Sequence, residues 1–437
     1  MPTPPRTLRV AVTNVTLGNG GDAAILFGLE RALRAALPPF DMVLLETQPS
    51  VAAPAYPQYD VRVGFASLAF PQIAKGIPAR AKRAARYLTR NPRLRLAARA
   101  WRAGQHALAL RLAGADGAAS FRAVAEADVV VSTGGTYFVP AYWLGPRLLE
   151  FEVLHAMDQP YALYTQSVGP IGDDMPRRRL GAIFARARTV LLRGEPSQAE
   201  VLALAPGAAT HVRADAAFAL AEADVLAAAR ERAWPERPQV AISVRDWPHF
   251  RTTDAAEGMD RFRRSVAALA THLVREHGAS VTFLSTCQGR PGYRFDDSAV
   301  GLEIRALVPE EARASVTVDR EARDPIEMRD AYAAMDLVVA TRMHAAILAL
   351  AAGTPVLPVA YEHKTHELFG ALGVGGWVTD IETITPEAFV ATADRVLGAL
   401  PDARTALFEG VEGMRLSAMG AGALVAEAFA AEIAAAS

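Results

Sequence analysis

The chain has a single cysteine, Cys287, in 437 residues. One thiol excludes a disulfide framework and any zinc site built from several thiolates, and it fits a reducing compartment. Charge of one sign is also missing. Lys and Arg number 46 against 47 Asp and Glu, a formal net charge of −1, which argues against a general nucleic-acid coat protein. No apolar run of about 18 residues goes uninterrupted by charge; the Ala-rich tail is broken by Glu427 and Glu432. The N-terminal stretch lacks the hydrophobic centre and cleavage pattern of a signal peptide. These absences lead to the expectation of a soluble cytoplasmic protein. Disorder is excluded by what is present: 51% hydrophobic residues supply ample material for buried cores.

Short β-branched runs alternate with longer Ala/Leu/Arg stretches of helical period. The spacing predicts strands at 8–15, 42–46, 128–132, 161–167 and 190–193, then at 240–245, 281–286, 315–318, 337–341 and 355–359. Most of these runs are continuously apolar, as strands of parallel sheets covered on both faces are. Strand–helix alternation of this kind predicts an α/β protein with two doubly wound, Rossmann-like domains. The proline-bearing segment 233–238 reads as the linker, giving domains 1–232 and 239–437 with a cleft between them. Ligands of open α/β sheets bind beyond the carboxyl ends of strands, so the residues that follow strands carry most weight.

Five segments meet that criterion. The run from Asn14 to Asp22 places Gly18, Gly20 and Gly21 between a strand and a helix. Free backbone N–H groups and the helix dipole there suit an anion or sugar hydroxyls, although a tight turn with Asp22 as helix cap explains the glycines equally. It is neither a Walker loop nor a dinucleotide fingerprint. Ser132-Thr133-Gly134-Gly135, followed by Tyr137, Phe138 and Trp143, ends a second buried strand. Gln166 and Ser167, before Gly169-Pro170, end a third. Arg193, beside Glu195 and Ser197, ends a fourth and either contacts an anion or pairs with a carboxylate. The fifth is the most informative. One strand delivers Thr341, Arg342 and His344 to a helix start, Gly353 closes that helix, and the next strand delivers Tyr361, His363 and Lys364. Guanidinium, imidazole and ammonium converging at a helix N-terminus favour a small multiply charged anion. His366 is compatible with an ordinary helix-start position, and His363 is left unassigned. No His/Asp/Glu spacing reads as a metal cage.

The segment 75–111 differs from the rest, with eleven Lys/Arg and no acidic residue. Arg83, Arg86 and Arg90, then Arg95, Arg99 and Arg102, recur at helical spacing, with Leu94, Ala97, Ala98 and Trp101 available for another face. The pattern is that of two basic helices with a solvated face. A platform for peripheral contact with anionic lipid headgroups or a lipid diphosphate is the functional alternative. RNA binding has little support, since only Tyr87 and Trp101 offer stacking.

Taken in order, Asn14…Gly20-Gly21-Asp22, Ser132–Gly135, Gln166–Pro170, Arg193…Ser197, Asp215–Phe218 and Thr341-Arg342-Met343-His344…Gly353-Thr354-Pro355…Tyr361…Lys364 resemble the polysaccharide pyruvyl transferase family across nearly the whole chain. Two positions depart from its usual pattern: Ala216 stands where proline is frequent, and Gly194 where Asp often follows the arginine. The basic segment is not part of the pattern. The resemblance implies a fold similar to the two-domain GT-B glycosyltransferases, with phosphoenolpyruvate as donor in the inter-domain cleft. It further implies attachment of pyruvate as a cyclic ketal to a sugar of a polysaccharide or glycan precursor, which lipid-linked intermediates would also satisfy. No resident cofactor is expected, and nucleic acid is not an expected partner. Charge requirements nominate Arg342, Arg193 and Lys364 for the donor's carboxylate and phosphate. His344 is the expected general acid/base, with Asp22 as acceptor-side base or hydroxyl ligand. Asn14, Gly20, Gly21, Gly134, Gly135, Gln166, Ser167, Thr341 and Tyr361 complete the expected binding residues. A GT-B glycosyltransferase using a nucleotide sugar is the competing enzyme. A non-enzymatic scaffold at a membrane surface is the third reading.

Overall fold

A computed structural model of the chain describes residues 6–69, 77–140, 144–172 and 175–436, with only the backbone of 77–89. Trp143 and Lys75 therefore lie outside the described residues, as do the side chains of Arg83, Arg86 and Tyr87. The strands are β1 (Leu8–Val15), β2 (Phe40–Glu46), β3 (Asp60–Val63), β4 (Val129–Ser132), β5 (Gly135–Phe138), β6 (Ala162–Val168), β7 (Val190–Leu192) and β8 (Thr210–Val212). They continue as β9 (Gln239–Ser243), β10 (Ser280–Phe283), β11 (Val316–Val318), β12 (Leu337–Ala340), β13 (Val356–Ala360) and β14 (Thr379–Asp380).

Two sheets result. The first has the order β3-β2-β1-β4-β6-β7-β8, with β5 paired to β6; the second has the order β11-β10-β9-β12-β13-β14. The strand pairs run parallel. Every residue of β4 and β6 is buried, as is every residue of β12 and β13, so the continuous apolar runs have the reason expected of them: helices cover both faces. In the first unit, Phe65 and Phe121 meet edge to face at 5.0 Å, and Phe138 lies 5.6 Å from Phe184 in the same manner. Rings at these separations interlock in the geometry that aromatic pairs prefer.

The chain divides into two compact units, one formed by Met1–Gly18, Ile25–Ala216 and Ser417–Ser437, the other by Asn19–Ala24 and Ala217–Leu416. The change thus falls at 216/217 and not at the expected 233–238, and each unit borrows a segment from outside its own half. The reason lies in packing. Gly353 is in close contact with Ala229 and Val225. Arg232 pairs with Asp336 at 2.7 Å, and Arg329 donates to the Leu220 carbonyl at 2.8 Å. These contacts tie 217–232 to the second unit. At the other end, the Ser417 hydroxyl accepts from the Ala214 N–H at 3.0 Å, Gly422 lies against the Ala32 carbonyl, and Arg188 pairs with Glu432 at 2.9 Å, which ties the tail to the first unit.

The basic segment also differs from expectation. Residues Ile77–Arg102 form one helix running through Pro92, in place of two. Leu94, Ala97 and Ala98 are buried in the first unit's core. Arg95 pairs with Glu152, and Arg102 with Asp158 at 3.2 Å. Among the described residues no single helix is long and apolar enough to cross a membrane. The C-terminal pair Pro386–Ala428 and Ala430–Ala436, bent by 72°, passes on length and composition together, yet Val425 and Phe429 are fully buried in the protein.

Candidate functional site

Sheet register determines which strand ends are neighbours. In the second unit Ser243 of β9 is opposite Ala340 of β12, and Ala340 is opposite Pro358 of β13. Two or three residues further on come Arg245, Arg342 and Tyr361. Ile242 of β9 faces Phe283 of β10, and Cys287 follows the end of that strand. Four consecutive strands therefore send polar or reactive side chains past one sheet edge, where open α/β sheets bind ligands.

The glycine-rich segment enters this same unit. A Cβ added to Gly20 would stand 1.9 Å from the Thr286 carbonyl oxygen, and one added to Gly21 would stand 2.5 Å from Nδ1 of His344. Only glycine allows so close an approach. Asn19 Oδ1 accepts from the Gly21 N–H at 2.9 Å and from the Cys287 thiol at 3.4 Å. Gly20, Gly21 and His344 are thus neighbours in space, and the charge of Asp22 is felt at Cys287 and Tyr293.

Arg342 is the N-cap residue of the helix Met343–Ala351. Its Nη2 donates to Asp297 Oδ1 at 2.7 Å and its Nε to Oδ2 at 2.5 Å. Both side chains are largely buried. Burial opposes the arginine's charge, but Cys287, Asp297 and the hydrogen bonds to Asp297 outweigh it and raise its pKa. Arg342 is a fixed cation, and its Nη1 end is the part not committed to Asp297. Burial pushes the Cys287 thiol up, with Arg342 working against that, so Cys287 stays a neutral thiol. Lys364 lies 3.3 Å from Glu362. Arg342 and Lys364, both expected donor-binding cations, are therefore each already paired with a carboxylate.

Arg245 supplies a cation that the residue pattern did not single out. Its guanidinium lies 4.4 Å from the Tyr361 ring centre and 5.0 Å from that of Trp247, and the two rings are 4.5 Å apart. Its Nε donates to the Asp246 carbonyl at 3.3 Å, its charge is felt at Asp297, and the two π-faces lie against it. Burial raises the Tyr361 pKa while Arg245 opposes the shift. Thr341 is buried, its N–H bonded to the Ser243 carbonyl at 2.9 Å. His363 is exposed beside Glu367.

The first unit gathers the remaining expected residues into a separate network. Thr13 is opposite Ser132, and Gly135 is opposite Gln166. Asn14 donates to the Ser132 hydroxyl at 3.0 Å and accepts from Arg147 at 2.9 Å. Gln166 donates to the Thr133 carbonyl at 2.6 Å and to the Tyr137 hydroxyl at 2.7 Å. Burial pushes the Tyr137 hydroxyl up to about 12, which keeps it a neutral donor to the Thr133 carbonyl. Asn14 and Thr165 hold positive φ of 61° and 36°, conformations non-glycine residues adopt only when surroundings impose them. A Cβ on Gly134 would lie 2.6 Å from Thr165 Oγ1. Ser167 is buried in the same strand end. Arg193 is committed elsewhere, in a buried pair with Asp215 at 2.8 Å. Its expected alternative of pairing with a carboxylate is the one realised.

The chain as a whole has counterparts among known proteins. The family model described as polysaccharide pyruvyl transferase matches residues 19–363. The chain belongs to the polysaccharide pyruvyl transferase family. It is therefore a transferase of polysaccharide biosynthesis by membership. A curated relative, the amylovoran biosynthesis protein AmsJ of Erwinia amylovora, is 26% identical over 298 residues, covering 66% of this chain and 70% of the relative. Among solved structures, the UDP-GlcNAc 2-epimerase of Neisseria meningitidis is similar with a TM-score of 0.54 at 9% identity, covering 97% of this chain and 99% of the other. MurG of Acinetobacter baumannii is similar with a TM-score of 0.52 at 13% identity, covering 96% and 99%. Such low identities bear on fold alone. They support the GT-B-like class that the family resemblance implied, and with it the two α/β domains with parallel sheets expected from the strand–helix alternation.

For this pyruvyl transferase family member, the residues missed in the sequence have recognisable reasons. Arg245 ends an apolar strand run as Arg193 does, so the same rule would have flagged it. Asp297 was hidden by its neighbour. Asp296 caps the helix Asp297–Leu307 by accepting from the Ser298 N–H at 3.1 Å, and a pair of aspartates at a helix start reads as capping. Arg147 sits in the first turn of the helix Gly145–Met157 and carries no local signal.

Proposed function

We propose that the protein moves the pyruvyl unit of phosphoenolpyruvate onto two hydroxyls of one sugar in a polysaccharide precursor, leaving a cyclic ketal and inorganic phosphate. The observation that carries this reading is the close approach of Gly21 to His344, two residues after Arg342 at the end of β12, with Arg245 following the neighbouring strand β9. A carboxylate and a phosphate on three carbons need cations aimed from different sides, and Arg342 and Arg245 leave from different strands. Asp297 keeps the Arg342 fork in one orientation, so the Nη1 end meets the donor without reorganisation. Lys364 adds charge near the phosphate.

Chemically, C3 of the enol takes a proton, and C2 gains positive character. A sugar hydroxyl then bonds to C2 and gives up its proton. His344 serves as the acid/base for these transfers, since imidazole changes charge near neutral pH. The C2–O bond to phosphate breaks, the second hydroxyl bonds to C2, and its proton leaves with phosphate. One donor and two hydroxyls thus yield one ketal and one phosphate. Asn14, Ser132, Gln166 and Arg147 offer the hydroxyl-binding chemistry suited to a sugar, with Asp22 as the acceptor-side carboxylate.

Calorimetric titration with phosphoenolpyruvate, and in parallel with UDP-sugars, tests the reading. Wild-type protein is expected to bind phosphoenolpyruvate, with affinity about tenfold weaker in Arg342→Lys, which is ~1.4 kcal/mol. Binding of a UDP-sugar with no response to phosphoenolpyruvate would overturn it in favour of a nucleotide-sugar glycosyltransferase. Proton NMR of the product is expected to show a new ketal methyl signal.

A further inference from the structure

Two histidines and an aspartate come together away from the strand ends just described. His272 and His277 lie on the helix Ala255–His277, and Asp394 on the helix Pro386–Ala428. Both imidazoles direct Nε2 at the same oxygen, Asp394 Oδ1, from 2.7 Å and 3.4 Å. The rings are 5.4 Å apart and inclined at 71°, so they approach the carboxylate from different sides. One donor atom from each residue falls within 4.8 Å of the other two. His272 and His277 are one-fifth to one-quarter exposed and Asp394 about half, which leaves an entry path and room for water.

We infer that His272, His277 and Asp394 form a binding site for a divalent transition-metal ion of the zinc class. Ligands about 2.0–2.2 Å from a tetrahedral zinc stand roughly 3.3 Å from one another. The His277–Asp394 distance already meets that value, and the His272–Asp394 distance has only to open by about half an ångström. Two imidazoles and a carboxylate favour zinc, nickel or copper over magnesium or calcium, which require oxygen ligands. Water fills the remaining position. Nearby cations do not occupy the cluster: Arg275 is paired with Glu311, and Arg395 donates to the Gly376 carbonyl at 2.9 Å. The ion's place in the fold sets its role. His277 precedes β10, at the amino end of that strand, whereas Thr286 and Cys287 follow its carboxyl end. The metal therefore clamps two helices and takes no part in the transfer.

The spacing explains why the site is not legible in sequence. His272 and His277 are five residues apart, not the three or four of familiar helical ligand pairs, and the third ligand lies more than a hundred residues away.

The test uses the full chain, stripped with chelator and titrated with zinc, nickel and magnesium chlorides by calorimetry. One zinc per chain is expected, together with a rise in Tm and negligible magnesium binding. His277→Gln and the double variant His272→Gln/His277→Gln are expected to weaken zinc binding by about tenfold or more. Cobalt(II) gives a second readout independent of stability, as visible absorption bands present in wild type and lost in the double variant. Donor affinity and turnover are expected to be unchanged by either substitution. Absence of saturable zinc binding in wild type, or binding that persists in the folded double variant, would overturn the site. A fall in Tm on substitution with no effect of zinc would mark the cluster as a hydrogen-bonded staple only.

Discussion

His344 and Gly21 make the sharpest pair of tests at the scale of single residues. Replacing His344 by Ala is expected to lower kcat by about 10²–10⁴-fold while leaving phosphoenolpyruvate affinity within a few-fold, as read by steady-state kinetics and calorimetry. Gly21→Ala should act on the same group indirectly. Its methyl would meet the imidazole at 2.5 Å, and a displacement of about 1 Å is enough to cost on the order of 100-fold in turnover. Urea unfolding is expected to show a loss of about 1–3 kcal/mol from the added methyl, offset in part by alanine's preference for a helix. A third residue contributes to pH dependence, alongside Glu46, whose carboxyl is likewise pushed up to about 7 by burial. Glu150 accepts from the Ala66 N–H at 2.8 Å in a fully buried position, and burial pushes its carboxyl up from 4.5 to about 7. The folded state therefore holds a proton that the unfolded chain has lost, and stability falls as pH rises from 4.5 to about 7. Glu150→Gln removes that titration. It should make the decline shallower, leaving the part due to Glu46, and add about 2 kcal/mol at pH 8, read from urea denaturation at pH 5 and pH 8.

For elements, the pattern of successes and failures follows burial. The central strands β1, β4, β6, β9, β12 and β13 are continuous apolar runs and were legible within a residue or two. β3, β5, β8 and β14 were not. β3, β8 and β14 are edge strands of two to four residues with mixed exposure, so no period distinguishes them from loops. β5 is short and glycine-led, and its GTYF sequence reads as the turn after β4. The helix Ile77–Arg102 shows the opposite error, since its two arginine trios read as two helices. Its position depends on the buried Leu94, Ala97 and Ala98. Leu94→Ala is expected to cost about 2–4 kcal/mol, whereas Arg99→Ala on the exposed side should stay within ~0.5 kcal/mol, both measured by urea denaturation. An equal effect of the two would mean that charge, not packing, holds the helix.

At the scale of the molecule, the units defined by contact make a prediction that cutting the chain at its proline-bearing linker does not. Residues 417–437 pack on the first unit through Ser417 and Glu432, and 217–232 pack on the second. A fragment ending at 232 is expected to be insoluble or lack cooperative unfolding by circular dichroism. Supplying 417–437 through a linker to a fragment ending at 216 should restore a cooperative transition. The sequence by itself determined the fold class, the strand-end motifs and the family, because periodicity and glycine-bearing turns are written locally along the chain. Only the tertiary structure decided which charges meet: Asp297 on Arg342, Asp215 on Arg193, Arg245 against two rings, and two histidines on one distant aspartate. Pairings of that kind depend on strand order and register, and these follow from how all the apolar faces are buried together.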